Sequence, residues 1–299
     1  MLHHKVLSVA GALFALLTMP TGTLATPVTP EPKVEKAPPE VVLPEPSAYQ
    51  GLGTWIDMFD VSPWKYPEKT IDRMAALGVR TLYLQTSNWQ KSFAIYKPQA
   101  MARLLDQANV QGIKVVAWYL PAFTNLKKDF RRSRAAIDFT TATGNRFDSF
   151  ALDIEATEVR DVPTRSRRAI RLSQKIRDYV GVDYELGAII PDPAGQVYWP
   201  DYPYAETASI YDSILPMGYY TYRVDGYRAT YRYAKRNVTI IRREAGDDVA
   251  VHAIGGIAGR ATKREVQAFI DGSRAAGISG LSLYDFPITL DWEWTKLTR

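Results

Sequence analysis

The chain has 299 residues, 46% hydrophobic and 23% charged, with no cysteine, three histidines and a formal net charge of +5 at pH 7. Its length is enough for one large domain whose core needs no covalent staples. The lack of cysteine excludes disulfides, zinc–thiolate sites, iron–sulfur clusters and cysteine nucleophiles. His3 and His4 sit at the extreme N-terminus, so a Ser-His-Asp triad would have to run through His252.

The first segment reads as a secretory signal. MLHHK is a short basic region, VLSVAGALFALL an apolar run, and TMPTGTLA a polar stretch with small residues before Ala25. The apolar run is shorter than the ~20 residues that span a bilayer. This predicts a secreted or cell-envelope protein with no stable membrane span after cleavage, retention as an anchor being the alternative. Residues 26–49 follow, with seven prolines and no glycine. Such density prevents helix or central strand and predicts an extended tether.

From residue 51 a repeat begins. Strand-like runs follow glycines that close helix-like runs, at Gly78, Gly112, Gly144, Gly181, Gly246 and Gly277. The opening GTWIDMF and the run SILPMGYY raise the strands to eight. Between them lie helical spacings such as Ile71, Met74 and Leu77, then Met101, Leu104, Leu105 and Ala108, then Val266, Phe269 and Ile270. Thr262 and Glu265 form a capping-box pattern before the last of these. Eight alternating units over residues 50–299 predict an α/β fold, a single-domain (β/α)8 TIM barrel. An open doubly wound sheet is the alternative, but no glycine-rich phosphate loop follows a strand.

In such a barrel, chemistry sits where strands end. The fourth run, Phe147 to Glu155, alternates so that Phe150, Leu152 and Ile154 face the helices and Ser149, Ala151, Asp153 and Glu155 face the axis. Two carboxylates are thus expected side by side at the rim. Their mutual repulsion raises one pKa toward neutrality, as a general acid requires. The competing reading is an acidic pair held by Arg or Lys in a structural network. Other strand ends offer Asp57 and Asp60, Tyr83 and Gln85, Trp118, Asp192, and Tyr284 with Asp285. Loop aromatics, Trp89 and Tyr96 and then Tyr198, Trp199, Tyr202 and Tyr204, suit the apolar faces of sugar rings. The basic segments 131–134 and 165–177 are expected to be solvated outer faces.

FDSFALDIE resembles the fourth-strand signature DxxDxDxE of family 18 glycoside hydrolases, which are chitinase-like. Asp148, Asp153 and Glu155 fall on its first, third and last acidic positions, and Ala151 replaces the second. Met217-Gly218-Tyr219 is similar to that family's MxY, with Tyr220 where an Asp often follows. A second likeness links DVSPWKYPEKTIDRMAALGVRTLYLQTS to the opening of family 25 lysozymes. Asp60 falls on that family's first-strand Asp and Gln85 replaces its Lys, while LSLYDF does not match its closing motif.

The resemblance implies a glycoside hydrolase cleaving a polysaccharide with N-acetylated amino sugars, chitin-like or peptidoglycan. Glu155, Asp153 and Tyr219 would be catalytic, and Asp57, Asp60, Tyr83, Gln85, Trp118, Trp199 and Asp285 would bind substrate. A non-catalytic carbohydrate-binding barrel is the alternative, favoured by Ala151. No cofactor, metal or nucleic-acid partner is expected, while the mild basicity admits an anionic cell-wall polymer.

Overall fold

The computed structural model describes residues 47–299; the signal-like segment and residues 26–46 lie outside the described residues. Ser47–Tyr49 form a short 3-10 turn that leads into the first strand. The strands are β1 (Gly51–Ile56), β2 (Thr81–Asn88), β3 (Lys114–Leu120), β4 (Ser149–Asp153), β5 (Leu186–Pro191), β6 (Ser213–Met217), β7 (His252–Ile257) and β8 (Gly280–Tyr284). All are parallel, each pairs with the next, and β1 pairs with β8 through Gly51 and Gly280, which closes the barrel. The open-sheet alternative is thereby excluded.

The helices are α1 (Ser62–Lys65), α2 (Pro67–Ala76), α3 (Pro98–Gln111), α4 (Leu126–Ile137), α5 (Val162–Val180), α6 (Tyr204–Ile210), α7 (Tyr227–Ala245), α8 (Lys263–Arg274) and α9 (Asp291–Leu297). The glycines that punctuate the repeat do so for a steric reason. Gly112, for example, adopts φ 68° after α3 and returns its N–H to the carbonyls of Ala108 and Asn109. The capping box of α8 forms as the spacing predicts, with Thr262 and Glu265 bonding each other's backbone N–H.

Strand alternation divides the apolar residues into two cores. Phe150, Leu152 and Ile154 join the outer layer between sheet and helices, whereas Trp55, Tyr83, Val116, Trp118, Ala151, Ile189 and Leu215 fill the barrel itself. Trp55 stacks on Tyr83 at 4.2 Å between ring centroids and meets Trp118 edge-on at 6.1 Å. The interior is packed, so any ligand is confined to its mouth.

The floor of the barrel corrects one expected boundary. Ala48 and Tyr49 are fully buried, so the proline-rich segment gives way to the folded domain before residue 50. The Ala48 N–H donates to Glu185 at 2.9 Å, and the Tyr49 hydroxyl bonds Ser149 Oγ. A side chain at Gly187 would meet the Tyr49 ring within 2.6 Å, so glycine there admits the plug. Above it His252 is fully buried, with Nδ1 near the Tyr83 hydroxyl and the Tyr49 carbonyl and Nε2 near Ser282 Oγ, all at 3.1 Å. Burial drives its pKa down to about 4. It is a neutral interior residue with no carboxylate partner among the described residues, so no triad runs through it there.

The basic segments are only partly solvated faces. Arg132 is buried and donates to the carbonyls of Asn88 and Lys91, tying α4 to the loop after β2. Arg165, also buried, reaches the Tyr198 carbonyl and lies 4.3 Å over the Trp199 ring. These guanidinium groups act as struts for the rim loops.

Candidate active site

Asp153 is the last residue of β4 and is buried. The ladder continues one residue further, through the Ile154 N–H to the Ile189 carbonyl at 2.7 Å, and delivers Glu155 to the same axial face as Asp153. Asp153 Oδ1 has no hydrogen-bond partner although it is closed to solvent. Among the described residues neither carboxylate is in a salt bridge. The pair is therefore not held in an Arg or Lys network. Burial raises both pKa values, and the charge of Glu155 raises Asp153 further. Such a pair holds its protons more tightly than free carboxyl groups do.

The remaining fourth-strand acid behaves oppositely. Asp148 lies at the other end of β4, where it accepts 2.8 Å bonds from Lys114 Nζ and the Val115 N–H. It ties β3 to β4 at the floor of the barrel and is remote from the mouth.

Tyr219 follows β6 and stands by the pair: burial first, then the charges of Glu155, Asp153 and Asp285, raise its phenol well above the ordinary range. It is a neutral hydroxyl donor at any physiological pH. Tyr198, after β5, feels the same two carboxylates but is 39% exposed. Asp192 is fully engaged instead. Arg223 grips it with two bonds of 2.9 and 3.0 Å, and the Tyr233 hydroxyl also donates to it. Arg223 and Tyr233 carried no signal in the sequence, since Arg223 lies in the turn of the loop after β6 and Tyr233 inside α7.

On the far side of the mouth, Asp57 and Asp60 occupy the turn after β1 and Asp285 follows β8. Asp57 Oδ1 accepts from the N–H groups of Phe59 and Asp60, and its Oδ2 accepts from the Tyr284 hydroxyl at 2.6 Å. Asp60 accepts from the Asp57 N–H at 2.9 Å. Burial, then Asp285 and Asp57, push the Asp60 carboxyl up to about 7. Burial and Asp57 push Asp285 up to about 6.

Several expected substrate contacts sit deeper than the sequence suggests. Tyr83 is wholly inside the barrel core, because the interior side of β2 is filled by Trp55 and His252. Gln85 is buried and accepts from the Met58 N–H at 3.0 Å, which fixes the turn carrying Asp57 and Asp60. Trp118 is 5% exposed and its indole N–H is unpartnered, placing it at the floor of the mouth. Trp199 is fully buried, donates to Ser166 and packs edge-on against Phe123 and Tyr202. It has no face for a sugar; the loop after β5 uses it as its own core and leaves Tyr198 outside.

No known family model matches the chain. No curated protein matches it. Solved structures do resemble it. The spore cortex-lytic enzyme SleL of Bacillus cereus has a TM-score of 0.62 at 10% identity over 83% of this chain and 73% of that one. A chitinase from Bacteroides thetaiotaomicron gives 0.61 at 10% identity, over 83% and 94%. The endo-1,4-beta-mannanase of Rhizomucor miehei gives 0.64 at 11%, over 84% and 93%. The chain shares the (β/α)8 barrel of these glycoside hydrolases. A deoxyribose phosphate aldolase from Aeropyrum pernix has the same architecture at 0.51 and 11%, over 84% and 89%. Fold alone therefore leaves the chemistry open, and the site must decide it.

Proposed function

We propose that this protein is a glycoside hydrolase that cleaves a polysaccharide containing N-acetylated amino sugars, chitin-like or peptidoglycan, with Glu155 as general acid. The observation that carries this reading is the state of Asp153 and Glu155: two carboxylates adjacent at the mouth, both desolvated, and neither paired with a cation among the described residues. Leaving two like charges so placed destabilises a fold. It serves a reaction in which one group gives up a proton while the other stays or becomes charged.

In this mechanism Glu155, more exposed than Asp153, protonates the glycosidic oxygen. Asp153 orients the acetamido group of the sugar or balances charge at the anomeric carbon, the first role being that of substrate-assisted retaining enzymes. Tyr219, held neutral, donates its hydroxyl to the acetamido oxygen. Tyr198 offers a ring face to a neighbouring sugar, and Asp57, Asp60 and Asp285 line the opposite wall. The neighbours named as chitinase, mannanase and cortex-lytic enzyme agree with a polysaccharide substrate. The signal-like and proline-rich residues 1–46 support secretion and a position at the cell envelope. Arg167, Arg171 and Lys175 on α5 support contact with an anionic wall polymer.

The test is turnover of labelled N-acetylglucosamine oligomers and peptidoglycan fragments by the wild type and by Glu155→Gln. General acids contribute 10²–10⁴-fold, so turnover falls by about that factor while binding persists. Undiminished activity in Glu155→Gln places the acid elsewhere. A second reading has its own observation. Ala151 stands where the family 18 signature has an acid, and Asp153 Oδ1 lacks a partner. A sugar-binding barrel without activity predicts saturable oligosaccharide binding and no cleavage by the wild type.

A further inference from the structure

The sequence has no cysteine, and His252 is buried in the barrel core, yet the barrel mouth assembles a ligand set made only of oxygen. Because β1 and β8 are hydrogen-bonded neighbours, the turn after one meets the end of the other. One carboxylate oxygen each from Asp57, Asp60 and Asp285 lies within 4.8 Å of the other two. Among the described residues no Lys, Arg or His forms a salt bridge with any of them. Acidic groups often cluster at surfaces without consequence, but one member here is not a surface group. Asp285 is only 6% exposed, and its Oδ1 is closed to solvent with no hydrogen-bond partner. A buried, unpartnered carboxylate oxygen beside two more carboxylates calls for positive charge.

We propose that Asp57, Asp60 and Asp285 bind one hard divalent cation of the calcium or magnesium class at the β1/β8 side of the mouth, across the barrel from β4. Oxygen-only donors select hard cations over zinc or copper. Oxygens up to 4.8 Å apart are compatible with ligation of a single ion at 2.3–2.6 Å. The set is also held in place. The N–H groups of Phe59 and Asp60 and the Tyr284 hydroxyl fix Asp57, and Gln85 anchors the turn through Met58. Asp57 Oδ1 is filled by its two N–H donors, but Oδ2, which accepts only from Tyr284, retains a lone pair for a metal. A sugar ammonium is too bulky to reach an oxygen that water itself does not touch, whereas a bare ion drawn between the carboxylates is not. Three protein ligands leave positions for water, or for hydroxyls of a bound sugar. The site stands independently of whether the β4 pair cleaves glycosides.

Terbium luminescence tests it on the full chain. Tyr284, bonded to Asp57, and Trp55, 6.2 Å from Tyr284 between centroids, are built-in sensitisers. Emission saturates at one ion per chain and is displaced by Ca²⁺ or Mg²⁺ with Kd of about 10⁻³ M or tighter, the range of extracellular calcium modules. Asp60→Asn and Asp285→Asn each weaken this at least about tenfold, a scale that even outer-shell changes reach. The double variant Asp153→Asn/Glu155→Gln and the floor variant Asp148→Asn keep it. Where Asp285→Asn does not fold, Asp60→Asn and the β4 double variant decide. No saturable emission, no displacement by up to about 10 mM Ca²⁺ or Mg²⁺, undiminished binding in Asp60→Asn, or loss of binding in the β4 double variant each overturns the proposal.

Discussion

The two ends of this barrel treat charge in opposite ways. At the floor, acids are satisfied: Asp148 by Lys114 and the Val115 N–H, Asp212 by Arg177 and the Leu186 N–H. At the mouth, Asp153, Glu155, Asp60 and Asp285 have no cationic partner among the described residues; burial raises all four pKa values, and neighbouring carboxylates raise those of Asp153, Asp60 and Asp285 further. Asp192 is the exception there, clamped by Arg223 and Tyr233. The same residue type thus stabilises one end and burdens the other. In barrels of this kind the floor carries stability and the mouth carries chemistry, and here the contrast can be seen in which acids lack partners.

That contrast is sharpened first by side chains at the rim that belong to the structural class. Trp199→Ala costs about 3–5 kcal/mol, as for buried aromatics generally, and denaturant unfolding measures it. Oligosaccharide affinity of the remaining folded protein stays unchanged, because the ring has no exposed face. At the floor, a chain beginning at Ser47 melts with the full-length protein. One beginning at Gln50 loses the Tyr49 plug and melts roughly 10 °C lower, at 2–4 °C per kcal/mol for a domain of this size.

Proton linkage separates the interior from the mouth by sign. The folded pKa of His252, about 4, lies below its ordinary value of 6.5. Its contribution is complete above pH 6.5 and is lost as pH falls through 4, a change of about 3 kcal/mol. Stability curves of wild type and His252→Gln therefore diverge over that window. Asp153 and Glu155, raised by burial, act in reverse: their contribution is greatest in acid and declines as pH rises through their folded pKa values. In turnover, Asp153→Asn shifts the alkaline limb to lower pH, because the like charge that holds the shared proton is gone. The smallest effect is at the surface. Tyr198→Ala weakens oligosaccharide binding several-fold, the ~0.5–1.5 kcal/mol of an aromatic contact, and leaves the melting temperature unchanged.

Much of this was legible in the sequence because it rests on periodicity. Glycine spacing located six strands and the runs GTWIDMF and SILPMGYY the other two, and period-two alternation sent Phe150, Leu152 and Ile154 outward and Ala151 and Asp153 inward. Depth along a strand was not legible. Tyr83 and Trp118 obey the same alternation, but how far each lies below the mouth depends on barrel stagger and neighbouring side chains. Nor was pairing legible. Asp148 and Asp153 look alike in FDSFALDIE, and only the position of Lys114 at the floor tells them apart. Tyr198 and Trp199 are adjacent and chemically similar. The stack that claims one and spares the other joins Tyr202 of the same loop to Arg165 and Phe123 from two distant segments.

The most direct test of the central claim, that the β4 carboxylates are kept for chemistry at a cost in stability, is thermal unfolding of Glu155→Gln and Asp153→Asn at pH 8. Removing one of two buried like charges leaves each variant melting at or above the wild type. A loss of about 3–5 kcal/mol in either, the cost of breaking a buried paired network, would show that the pair holds the barrel together and would contradict the account.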